Sequence, residues 1–128
     1  MAEEPPRTGV FPGRAPIDAY GNGGFRFAGM SHRGSLLCLS SAIVAWDADD
    51  VAQLTPASFA SVFAEHLSIG FVLLGSGRTL AFPSPDVRRA FTEAGIGLDT
   101  MDTGAACRTY NILLGEGRPV AAALIAVN

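Results

Sequence analysis

Apolar residues come in short runs broken by glycine and serine in the first third of the chain, and alternate between runs and helically spaced stripes after it. Residues 1–16 contain Pro5, Pro6, Pro12 and Pro16, half of the chain's eight prolines, and have no apolar period. Ordering that backbone would not be offset by burial, so a flexible N-terminal tail is predicted there, with a single α/β domain over residues 17–128. Phe25–Ala28 and Leu36–Leu39 read as strands joined by the turn Gly29–Ser35, a predicted β-hairpin, and Ile43–Trp46 as a further short strand.

The second half has sharper punctuation. Thr55 as N-cap and Pro56 at the first helical position predict a helix, with Phe59, Val62, Phe63 and Leu67 as its buried stripe. Phe71–Leu74 is a strand that stops at Gly75-Ser76-Gly77-Arg78. A second helix opens at Ser84-Pro85-Asp86, turns Val87 and Phe91 inward and ends at Gly95. Ile96–Met101 reads as a strand, and a third helix runs from about Gly104 to Leu114 with Thr103 as its expected N-cap. Val120–Val127 is apolar at every position, which predicts a central strand covered on both faces. Strands alternating with helices imply an α/β layer architecture.

At 128 residues, 48% apolar, the chain is long enough for one packed core and too short for two domains of ordinary size. A formal net charge of −3 without a basic block predicts no nucleic-acid partner and no polybasic membrane anchor. All nine cationic residues are arginine, which removes a lysine-tipped phosphate loop, a Schiff-base amine and a lysine general base. The acidic start Met1-Ala2-Glu3-Glu4 is unlike a signal peptide, and no apolar run approaches the roughly 18 residues of a membrane span. A soluble, cytoplasmic protein without direct membrane insertion is expected. Cys38 and Cys107 are far apart in sequence and suggest neither a zinc ribbon nor a disulfide framework.

Ligands of open α/β sheets gather beyond the carboxyl ends of the strands, where loops and helix N-termini meet. Two such ends stand out here: Gly75, Ser76, Gly77 and Arg78, and Asp102 and Thr103 with Cys107, Arg108 and Asn111 on the helix that follows. Brought side by side, they would form a candidate crevice for a small anion or a partner. The plainer alternative at each point is a glycine turn, a buried inert thiol, or polar side chains that pin loops. Gly21-Asn22-Gly23-Gly24 lacks the last glycine of a dinucleotide loop, and Gly29–Arg33 lacks that of a nucleophile elbow. His32 and His66 have no metal-ligand spacing. No catalytic residue, metal or cofactor is implied.

The segment Met101-Asp102-Thr103-Gly104-Ala105-Ala106-Cys107-Arg108-Thr109-Tyr110-Asn111, continuing to Ile125, resembles the small domain family of largely unknown function that includes mitochondrial complex I (NADH dehydrogenase) assembly factor 3 and the adipogenesis-associated domain protein, with many uncharacterised bacterial and archaeal members. Ile17–Phe25, Trp46 and Leu74–Gly77 fit the same pattern, while Ser76 and Pro119 depart from it where threonine and a basic residue are common. The resemblance implies a three-layer domain: a central mixed sheet with its last strand in the middle and antiparallel to the others, flanking helices, and an additional β-hairpin. It also implies a protein-interaction role, help in assembling a larger respiratory or membrane complex, protein partners and no established catalytic role. The absence of a transit peptide points to a bacterial member. An anion-binding protein or weak enzyme using the crevice is the alternative.

Overall fold

The cap and turn residues of the second predicted helix act where their local chemistry places them. In the computed structural model, which describes residues 9–128, α2 (Pro85–Ala94) starts after Ser84 with proline at its first turn, buries Val87 and Phe91, and ends at Gly95. The α3 helix (Thr103–Gly115) differs by one residue at its start. Its N-cap is Asp102, whose carboxylate accepts from the Ala105 N–H at 2.9 Å, so Thr103 is the first helical residue. The segment after Thr55 begins as a 3-10 turn at Pro56–Phe59 and becomes α-helical only over α1 (Ala60–Ala64). Because that helix stops at Ala64, Leu67 leaves the expected stripe and is 92% exposed; Phe59 and Val62 are buried and Phe63 partly so.

Six strands form the main sheet: β1 (Gly9–Phe11), β5 (Ser35–Cys38), β6 (Ile43–Trp46), β7 (Phe71–Gly75), β8 (Gly97–Met101) and β9 (Val120–Leu124), in the order β1-β6-β5-β9-β7-β8. The last strand is interior, and every residue of it is at most 1% exposed. It runs antiparallel to β5 but parallel to β7, so the antiparallel relation implied for it holds on one side only. The reason is connectivity. Helices α2 and α3 carry the chain back across the sheet, and a strand reached through such a crossover pairs in parallel.

The additional β-element is larger than the single hairpin expected. Residues 30–33, read from sequence as part of a turn, are a strand, and Leu36–Leu39 does not pair with Phe25–Ala28. Instead β2 (Ala19–Gly21), β3 (Gly24–Phe27) and β4 (Met30–Arg33) form a separate antiparallel sheet, while β5 joins the main one. Two-residue turns make this compact. Asn22-Gly23 has φ of 52° and 80°, and Ala28-Gly29 has φ of 51° and 76°, the left-handed pairs that match hairpin twist.

The core is divided by the main sheet. Phe59 and Val62, with Val87 and Phe91 of α2, cover Leu37, Val72, Leu74, Ala121 and Ala123 on one face. On the other, Ala106, Cys107 and Tyr110 of α3, together with Phe25 and Phe27 of the small sheet, cover Leu36, Cys38, Leu73, Ala122 and Leu124. The three layers follow from this division. Of the tail expected over residues 1–16, residues 1–8 lie outside those described. Residues 9–16 are held: β1 pairs with β6, Ala15 is buried, and the Arg14 guanidinium donates to the Arg118 and Val120 carbonyls.

Candidate functional site

Because β7, β8 and β9 are mutually parallel, their carboxyl ends share one rim, and the two predicted loops meet there. The Ser76 N–H donates to the Met101 carbonyl at 2.8 Å, the Thr103 N–H to the Gly77 carbonyl at 2.9 Å, and the Ile125 N–H to the Gly75 carbonyl at 3.0 Å. Thr103, 0% exposed, is the centre of this knot. Its hydroxyl donates to the Ile125 carbonyl at 2.7 Å and accepts from the Gly77 N–H at 3.0 Å, so one buried oxygen ties β7's loop, α3 and the end of β9. Gly75 is required by the same packing, since a Cβ there would stand 3.0 Å from Thr103 Cα and Oγ1.

The remaining predicted residues separate. Ser76 is buried, and its hydroxyl is engaged by its own loop, donating to the Thr79 carbonyl at 2.8 Å and accepting from the Ala81 N–H at 3.1 Å. Asn111 is directed away from the rim: its amide donates to the Ile17 carbonyl and accepts from the Ile17 N–H, each at 2.8 Å, clamping the chain before β2. Cys107 is buried beneath the rim. Burial pushes its thiol up to about 12, with the Arg108 charge opposing the rise and Asp102 adding to it, so it is not an activated nucleophile. Arg78 and Arg108 are exposed.

The helix start is not open. The Tyr20 ring of β2 lies against Gly104, where an added Cβ would collide with the Tyr20 hydroxyl, and the Asp102 carboxylate already occupies the positive end of α3. What is left is a cleft of about 190 Å³, lined in part by Tyr20, Gly77, Arg78, Asp102 and Gly104. The sequence signals Tyr20 only through the Ile17–Phe25 pattern, not as a residue of the crevice. Leu80 and Phe82 were missed as well. They follow the rim loop directly and are 53% and 61% exposed.

A three-layer domain whose parallel β7, β8 and β9 end at a self-bonded rim, with a separate small sheet beside it, is the class defined by this geometry. The chain belongs to the family described as protein of unknown function (DUF498/DUF598), whose model matches residues 17–125. It is similar to a crystal structure of an outer membrane protein from Bartonella henselae, at 50% identity and a TM-score of 0.89, covering 92% of this chain and 99% of that one. It is 38% identical over 121 residues to an uncharacterised protein of Rhodobacter capsulatus, covering 94% of this chain and 91% of that protein. It is 33% identical over 115 residues to the NADH dehydrogenase (ubiquinone) 1 alpha subcomplex assembly factor 3 of Mus musculus, where the match takes in 90% of this chain but 62% of the mouse protein.

Proposed function

We propose that this protein is a non-enzymatic interaction module that assists the assembly or biogenesis of a larger, membrane-associated complex. One observation carries the reading: the loop leaving the rim displays two large apolar side chains, Leu80 and Phe82, in solvent. The Ser76 hydroxyl holds that loop at both Thr79 and Ala81, so the display is preorganised and little ordering entropy opposes docking. Exposed apolar side chains on a held loop suit a protein partner with a complementary apolar surface, with the exposed Arg78 at the edge favouring acidic neighbours. The assembly-factor name of the mouse relative supports the same direction. The alternative of an anion in the crevice is less favoured, because the Ser76 and Thr103 hydroxyls already have internal partners and Asp102 contributes negative charge.

The reading assigns a bacterial cytoplasmic location, and no helix among the described residues is long and apolar enough to cross a membrane. The name of the Bartonella relative points elsewhere, so fractionation belongs in the test. Tagged full chain expressed at its native level in its own host is purified from cytoplasmic and membrane fractions. The expected result is recovery with the cytoplasmic fraction of a subunit or assembly protein of a membrane complex, lost from the double variant Leu80→Ser/Phe82→Ser and kept by the control Leu67→Ser. Unchanged recovery with the double variant, or no specific protein partner, would overturn the proposal.

A further inference from the structure

We infer that the outer face of the small sheet is a binding site for a phosphomonoester, separate from the rim and from the Leu80–Phe82 loop. The argument begins with strand alternation. Phe25 and Phe27 of β3 point into the core, at 2% and 0% exposure, so Gly24 and Arg26 belong to the opposite face. Register carries that face across the sheet: Ala19, Arg26 and Ser31 lie in one row, and Gly21, Gly24 and Arg33 in the next. The floor is therefore built of alanine, glycines and a serine, while two arginines rise from adjacent strands at diagonal positions.

This combination leaves a hollow of about 420 Å³, within the size range of small-molecule sites. None of its lining residues is Asp or Glu, although the chain has 12 acids and a net charge of −3. The local field thus opposes the charge of the whole molecule and selects an anion. Diagonal neighbours on paired strands have Cβ atoms roughly 7–8 Å apart, close enough for two guanidinium forks to converge on one compact dianion. Arginine forks match phosphate oxygens in pairs, and a floor without long side chains lets those oxygens descend between them. Ser31 supplies a hydroxyl donor in the same row as Arg26, and the short floor at Ala19 and Gly21 leaves room for the organic part of the ligand. A compact hollow favours this ligand over an extended acidic peptide, which needs a longer track of contacts.

The test is a two-dimensional amide NMR titration of the ¹⁵N-labelled full chain with phenyl phosphate, inorganic phosphate, phenol and a hexaglutamate peptide in parallel. Saturable shifts confined to residues 19–33 are expected with phenyl phosphate, weaker shifts at the same amides with inorganic phosphate, and none with phenol. The Arg26→Gln and Arg33→Gln variants should each weaken phenyl phosphate binding about tenfold with an unchanged melting temperature, while Arg78→Gln leaves it intact. Three results would each overturn the inference: no saturable shift, shifts centred on residues 75–78 and 102–104, or shifts by hexaglutamate alone. The Leu80→Ser/Phe82→Ser variant should bind phenyl phosphate normally, so this inference and the assembly reading fail independently.

Discussion

The rim and the outer face of the small sheet are both rich in glycine, serine and arginine, yet their polar groups have opposite fates. At the rim, the Ser76 and Thr103 hydroxyls and the Asp102 carboxylate are bonded to backbone within the molecule. On the small sheet, Arg26, Ser31 and Arg33 are exposed around a hollow. A glycine-punctuated polar segment therefore means two different things. Where parallel strands end together, the loops need internal acceptors and donors to satisfy buried backbone, whereas the far face of a two-layer contact has no such demand.

The contrast is tested most severely at Thr103. Replacing it with the near-isosteric valine strands the Gly77 N–H and the Ile125 carbonyl in a buried site, and Thr103→Val should cost about 2–4 kcal/mol in urea denaturation. Ser31→Ala on the small sheet should stay within about 0.5 kcal/mol. Equal losses would show that the two regions do not differ in kind.

The same division explains what could be read from the sequence. The helix signals at Ser84-Pro85 and Gly95 act locally, through caps and fixed φ, and the central place of β9 follows from a run with no polar position. The small sheet was hidden because Ala19-Tyr20-Gly21 and Met30-Ser31-His32-Arg33 have few β-branched residues and are held as strands by turns and by pairing rather than by propensity. The nearness of the two rim loops was legible from topology. The roles of individual residues were not, since Ser76 turning back on its loop and Asn111 clamping Ile17 are long-range or rotameric choices. Leu67 keeps the helical period of the sequence but lies past the point where the helix stops, so it falls outside the buried stripe.

Beneath the rim, Cys107 offers a pH-dependent check. Its thiol ordinarily ionises near 9.0 and in the fold near 12. Below about 9 both states keep the proton and the associated stability is fully present. As pH rises through that window the unfolded chain releases its proton first, so stability falls, completely only above about 12. Urea midpoints between about pH 8 and 11 should decline less steeply in Cys107→Ala than in the unsubstituted protein, and parallel declines would place the thiol in contact with water. A gain of stability, small in size, is expected in the small sheet. Ala28 has φ of 51°, a left-handed conformation that asparagine tolerates better in this kind of turn. Ala28→Asn should raise stability by about 0.5–1 kcal/mol by thermal melting, and a loss would mean that the turn is set by something other than its own backbone.

The position of β9 also governs how the molecule can be made. Until residues 120–124 leave the ribosome, β5 and β7 have no common neighbour, so the parts β1-β6-β5 and β7-β8 cannot be joined into one sheet and any pairing within them would leave an edge bare. Closure therefore comes as a single late event after synthesis of that strand. Any nascent-chain chaperone that attends this protein would be needed in the interval between emergence of β7 and emergence of β9.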